Sequence, residues 1–205
     1  MSTGVAENEA LEQLRGLVSA EGGELAGALS AGAATEVFGP LVAASERCRA
    51  HADEYALLVE SILEGYLVHY RAGRLLDPAD ADLRLLAGDY LYALGLARLA
   101  ALGDLDSVRE LADVIALCGQ SHAHGAPSPA EAPAAIWMVG AVAVAGGPWP
   151  EGDTAKAALR EERPEAAARA LEAASRRASG LGIGLEAETA LIAFKGIVSS
   201  ASQTS

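Results

Sequence analysis

Alanine occupies 46 of the 205 positions, while only nine residues are aromatic (five Tyr, two Trp, two Phe). Alanine has the highest helix propensity and leucine follows closely, whereas strands draw on β-branched and aromatic side chains. A chain built this way can present continuous apolar faces only on helices. The sequence predicts an all-α fold. At this length roughly 70 % of the unfolded surface can be buried, so neither a disulfide nor a metal is needed to hold a core together.

Glycine and proline divide the chain into eight or nine helical segments. The first is expected over Glu9–Ala20, ended by Gly22-Gly23, and a second over Glu24–Thr35, closed by Gly39-Pro40. Leu41 to Gly73 reads as one long helix or two shorter ones. In it Leu58, Ile62, Tyr66 and Tyr70 recur at four-residue spacing, and Glu54, Glu60 and Glu64 lie elsewhere on the wheel. Asp77-Pro78 has the form of a cap followed by proline at the first helical position. The helix after it is apolar almost all round beyond Asp89, as expected of one buried on several sides or set against another subunit. Further helices are expected over Asp106–Gln120, with Val108, Leu111, Ile115 and Leu117 inward, and over Ala130–Ala145 after a loop at 121–129. Gly146 to Gly152, Gly-Gly-Pro-Trp-Pro-Glu-Gly, reads as the strongest break. A charged helix over Pro164–Arg177 and a last one over Glu186–Val198 follow. Residues 1–8 are expected to form a flexible N-terminus, 9–199 a single helical domain, and 200–205 a flexible polar tail.

The formal charge is −13 and the isoelectric point about 4.7. Such a polyanion cannot neutralise a phosphate backbone, which excludes nucleic acid as a partner. Only Lys156 and Lys195 are lysines, and no basic run exists to meet anionic lipid. The longest apolar stretch, Ala134 to Gly147, is shorter than the roughly 18 residues of a spanning helix, so a buried core helix is expected and no transmembrane segment. Cys48 and Cys118 stand 70 positions apart without a CxxC pattern, and the opening Met-Ser-Thr-Gly-Val-Ala-Glu has no basic or apolar leader character. Together these point to a cytoplasmic protein with reduced thiols.

Bottom-up, no active site emerges. Cys118 and His122 share a helix face and His124 follows, but three ligands ending in a loop are one short of a structural zinc set. Asp77, Asp80 and Asp82 fit a helix start better than a magnesium site, since acidic residues favour the first turn. Gly180-Leu-Gly-Ile-Gly184 has no preceding strand and the wrong spacing for a dinucleotide loop.

One segment says more. Leu86-Ala87-Gly88-Asp89-Tyr90-Leu91, followed about thirty residues later by Cys118-Gly119-Gln120, resembles the trans-isoprenyl diphosphate synthases, in which a Leu-Ala-Gly-Asp-Tyr-Leu helix precedes one ending in Gly-Gln or Gly-Glu. Gly88, Asp89, Gly119 and Gln120 are the matched residues. Other words fall in order: Gly22-Gly23-Glu24 where the family has Gly-Gly-Lys, Leu67-Val68-His69 just before the place of its first Asp-rich motif, Arg71-Ala72-Gly73 for Arg-Arg-Gly, Ala132-Pro133-Ala134 for Lys-Thr-Ala, and Val139-Gly140-Ala141 for Leu-Gly-Ala. The resemblance spans residues 20 to 147 and implies an isoprenoid-synthase-like helical bundle, truncated.

The family's chemistry needs metal ions held by two Asp-rich motifs, and here His69 runs straight into Tyr70-Arg71. The residues that clamp isopentenyl diphosphate are replaced by Glu24 and apolar neighbours. With both charge-stabilising elements gone, the four matched residues are expected to be structural, with no catalytic or metal-ligating residue and no cofactor of its own. Some bacterial polyprenyl synthases pair an aspartate-motif subunit with a smaller one lacking those motifs. The resemblance therefore implies a non-catalytic partner subunit that stabilises the active chain, contacts the growing prenyl chain and helps set product length, magnesium entering only through the partner. The alternatives are a divergent magnesium-dependent prenyltransferase or cyclase using Asp77, Asp80, Asp82 and Asp89, and a homo-oligomeric scaffold or apolar-ligand binder.

Overall fold

The computed structural model describes residues 8–32, 34–123, 131–163 and 165–200. These residues form ten α-helices, and among them the one β-type pairing is an isolated bridge between Leu29 and Leu76. The fold is all-α. Helix α1 (Glu9–Glu21) ends where Gly22 and Gly23 take φ of 73° and 59°, a region that glycine enters without a Cβ penalty.

Helix α2 (Gly23–Gly27) is a single turn, not the helix expected to reach Thr35. Its continuation is pulled out of helical geometry by a distant segment. Ser30 N donates to Leu75 O at 2.8 Å and Asp77 N to Ala28 O at 2.8 Å. The same pairing moves the start of the helix that follows Asp77. Because Asp77 is held extended against Ala28, the cap is Asp80, whose carboxylate accepts from Leu83 N at 2.8 Å, and α5 runs Ala81–Ala101.

The stretch from Leu41 to Gly73 divides into α3 (Gly39–Ala43) and α4 (Ala52–Tyr70), joined through a 3-10 turn at Arg49–His51. Helices α6 (Leu105–Ala123) and α7 (Glu131–Gly146) follow. Residues 121–123, expected in a loop, continue α6, and 124–130 lie outside the described residues. Helix α8 (Pro150–Arg160) was not expected at all. Its opening, Pro150-Glu151-Gly152-Asp153, reads as a break, yet proline at N1 lacks a hydrogen bond that the position would not make, and first-turn carboxylates suit the helix dipole. Lys156 then fixes α8 to α6, its ammonium 2.8 Å from Glu110 and 3.1 Å from Asp113. Helices α9 (Ala166–Gly180) and α10 (Gly184–Ser200) complete the bundle.

Two helices are enclosed on all sides: α4 from Tyr55 to Val68 and α7 from Pro133 to Ala145. The scarce aromatics are concentrated between them. Phe38 stacks on Trp137 at 5.5 Å, and Tyr66 and Phe194 close the group at 5.9 Å and 6.4 Å from Trp137. On its other face α4 packs against α5 so closely that a Cβ at Gly95 would stand 2.5 Å from Ile62. Beyond Asp89, α5 packs into two core clusters, Leu99 with Tyr92 and Leu96 in one and Leu91 with Tyr90 and Leu94 in the other, while Leu85 and Leu86, ahead of Asp89, are 57 % and 67 % exposed.

Glu60 and Glu64, off the apolar stripe of α4, are nonetheless fully buried. Glu60 accepts from the amides of Val37 and Gly39 (2.7 Å each), and Glu64 from Leu75 (2.7 Å) and Leu76 (3.2 Å). Arg74 bridges the two carboxylates at 2.6 Å and 3.1 Å. These contacts tie segments 35–39 and 74–76 to α4.

Candidate functional site

Three of the four matched residues meet at the C-terminal end of α4. A Cβ at Gly88 would collide with the ring of His69, so this glycine permits the α4–α5 crossing at that level. Its neighbour Asp89 lies with Oδ1 3.2 Å from His69 Nε2, without the alignment of a hydrogen bond. Gly119, on α6, faces the hydroxyl of Tyr70. Gln120 points the other way, its amide donating to Arg160 O at 2.7 Å. Gly140, from another matched word, likewise sits where α6 and α7 pack backbone to side chain, against Val114.

Around this end lies a shell of rings. Tyr70 stacks on His122 at 4.4 Å and 5°, His69 on Tyr92 at 5.1 Å, and Tyr66 Oη lies 3.3 Å from His122 Nε2. Burial pushes the phenols of Tyr66, Tyr70 and Tyr92 and the thiol of Cys118 upward, so all four are neutral at ordinary pH. Burial, and then the Arg71 guanidinium, push His122 down, leaving a neutral imidazole. Among the described residues, the hydroxyl of Tyr92, Nε of Arg71 and Nε1 of Trp137 are buried without a hydrogen-bond partner.

On the far side of α6 a cleft of about 510 Å³ opens between α6, α7, α8 and α9. Leu117, Ile136 and Leu159 form its apolar wall, and Gln120 and Ala132 line it from the ends of α6 and α7. Glu131, Glu162 and Glu165 stand among its lining residues with a single guanidinium, Arg163.

The other sequence candidates separate. Asp80 is committed to capping α5, and Asp77 is held through its backbone. Cys118 is fully buried while His122 faces Tyr66 and Tyr70, and His124 lies outside the described residues. Among the described residues no three His, Cys, Asp or Glu side chains gather as a metal site would need, and no helix is long and apolar enough to cross a membrane. Sequence reasoning missed the buried Glu60–Arg74–Glu64 group and Lys156, since no spacing rule connects residues that meet only through tertiary packing. The mixed run Glu60…Glu64 inside an apolar helix was the one available signal.

Comparisons with protein-family models, curated proteins and solved structures return no match.

Proposed function

We propose that this chain is a non-catalytic subunit of a heteromeric polyprenyl diphosphate synthase, pairing with an aspartate-motif chain and shaping the space for the growing isoprenoid. The observation that carries the reading is spatial. Leu67-Val68-His69, Gly88-Asp89 and Gly119 meet at the C-terminal end of α4, and on the other side of α6 Gln120 and Ala132, from two further words, line one cleft. Their glycines support the reading as packing residues, which is the role a chain without chemistry would keep.

Magnesium does not fit this end. Where paired carboxylates would be required, the chain offers the phenol of Tyr70 and the cation of Arg71, and among the described residues Asp89 beside His69 belongs to no cluster that could hold a metal. Ionisation of an allylic diphosphate would fall to the partner. The open side of α5 and α6 suits that partner: the large apolar side chains Leu85, Leu86 and Leu105 are exposed there, with Ala93, Ala97 and Ala112 exposed on the same two helices, apolar surface of the kind that helix-on-helix packing buries.

The test is co-expression with each aspartate-motif prenyl synthase of the same genome, followed by purification on a tag carried by this chain. A stoichiometric complex whose rate or product length differs from the lone synthase supports the proposal. If every synthase leaves the column without this chain, and mixtures keep rate and product length unchanged, the reading is wrong.

A further inference from the structure

Helix α10 carries two seams. Ala187, Ala190, Phe194 and Val198 turn inward and are 3 % exposed or less. On the opposite side Leu185, Thr189, Ile192, Gly196 and Ser199 are exposed at alternating steps of four and three residues, the period of a helix-to-helix contact. Leu185 and Ile192 are 73 % and 66 % exposed, so the outer seam leaves two large apolar side chains in water.

Gly196 stands in this seam without a reason inside the chain. Gly88, Gly95 and Gly140 each sit where another helix comes too close for a Cβ, whereas nothing lies within 4 Å of a Cβ at Gly196. A glycine within a helix is destabilising relative to alanine, and no internal contact offsets the loss here. Charge follows the seam as well. Glu188 and Lys195 flank it one heptad apart, hence on the same side, and among the described residues neither makes an ion pair. The chain's other lysine, Lys156, is paired internally with Glu110 and Asp113.

We propose that α10 is a self-association face, on which a second copy of this chain packs its own α10 antiparallel about a two-fold axis. With the axis level with Ala190 and Leu191, Leu185 of each copy meets Gly196 of the other, and Thr189 meets Ile192. Each larger side chain of the seam then faces a smaller one, and Leu185 fills the space that Gly196 leaves open, as a knob fills a hole. An antiparallel two-fold pair also sets the same flank of both helices together. Glu188 of one copy therefore stands within about 3 Å, measured along the axis, of Lys195 of the other, and the symmetry makes this ion pair twice. On the opposite flank Glu186 meets Ala193, so no like charges are opposed. A parallel pair would set Gly196 against Gly196, leaving a void, and would part Glu188 from Lys195. The contact lies on a different helix from the face assigned to the synthase and needs no synthase.

Sedimentation of the full chain alone at physiological ionic strength, from about 1 µM to 1 mM, covers the weak range of reversible contacts and is expected to show a monomer–dimer equilibrium. Ile192→Ser should weaken dimerisation about a hundredfold, since two apolar side chains lose their burial. Glu188→Lys and Lys195→Glu should each weaken it about tenfold or more, because either one opposes like charges at two symmetric contacts. Glu188→Lys is the sharper of the two: it makes the chain less acidic, and would strengthen any association limited by net charge alone. The double swap should regain the parental affinity, and an equimolar mixture of the two single variants should dimerise where neither does by itself. Leu86→Glu, on α5, should leave the dimer nearly unchanged. Circular-dichroism melting confirms that the variants, all altered at exposed or half-buried positions, stay folded. A chain that stays monomeric to the highest concentration, a dimer indifferent to Glu188→Lys, a mixture that fails to pair, or a dimer lost with Leu86→Glu would each overturn the proposal.

Discussion

Replacing Arg74 with methionine asks whether one cation holds two glutamates inside α4. The side chain of Arg74 is 7 % exposed and both carboxylates are 0 % exposed. Its guanidinium donates to Glu60 and Glu64, and also to the carbonyls of Thr35 at 3.0 Å and Glu60 at 3.3 Å. Methionine retains an apolar stem and removes every donor. Each glutamate then keeps its backbone amide bonds through Oε1, while Oε2 loses Arg74. Breaking a buried pair by removing one partner costs about 3–5 kcal/mol, and two carboxylates depend on this one, which places the loss near the upper end. Native stabilities are about 5–15 kcal/mol, so the variant should approach the edge of folding. With about 2–4 °C per kcal/mol for a chain of this size, the midpoint should fall by roughly 10–20 °C in a thermal melt. The triple variant Glu60→Gln, Glu64→Gln, Arg74→Met removes the stranded charges and should recover more than half of the loss. A single variant within about 1 kcal/mol of the parent, or a triple variant no more stable than the single, refutes the reasoning.

Other expectations follow from local geometry. Gly95→Ala should destabilise by about 1–2 kcal/mol in urea unfolding, because overpacking against Ile62 and the Leu58 carbonyl exceeds the helix-propensity gain. Gly196→Ala, with nothing near its Cβ, should stabilise by about 1 kcal/mol in the same assay. Burial works against the Asp104 carboxylate, yet hydrogen bonds from Arg47, Tyr55 and Ser107 hold it well below the usual carboxylate range. Its contribution is therefore complete above about pH 4 and lost as pH falls further, so Asp104→Asn should be less stable near neutrality and show a shallower loss in acid. His122 has the opposite sign of charge. Held neutral in the fold, it binds its proton more readily when unfolded, so stability should drop as pH falls below about 6.5, and His122→Asn should flatten that part of the unfolding profile.

The sequence made the fold class and most helices legible because alanine and leucine periodicity is a local signal. It failed where distant backbone competes. Residues 28–35 have helix-forming composition, yet Ser30 and Ala28 bond to Leu75 and Asp77, and the same contact moved the cap of α5 from Asp77 to Asp80. Helix α8 was lost because proline and glycine at its start look like punctuation, whereas Lys156 meets Glu110 only in three dimensions. At the candidate site the glycines were legible as words and their meaning, close helix crossings at Gly88 and Gly140, was not. The ring shell around His122 was invisible, since Tyr66, Tyr70, Tyr92 and His122 come from three helices.

The open face of α5 and α6 could be covered by a second copy or by a different chain, and electrostatics separates the two. The face carries Asp82, Asp89 and Asp106 exposed beside the apolar residues, with Arg109 already paired to Asp106. A two-fold pairing of identical chains sets this face against itself and brings two molecules of charge −13 together. Like charges meet across a contact narrower than or close to the Debye length, about 8 Å at physiological ionic strength, so screening relieves the repulsion only in part. A partner with a less acidic face meets attraction instead. Self-association should therefore strengthen as salt is raised, and a heteromeric pair should weaken. Sedimentation of the lone chain and of the purified complex between about 0.05 and 0.5 M salt, where the screening length changes roughly threefold, reads the sign directly. A lone chain that dimerises tightly at low salt, and loosens as salt is added, would contradict the account of this face as one built for another polypeptide.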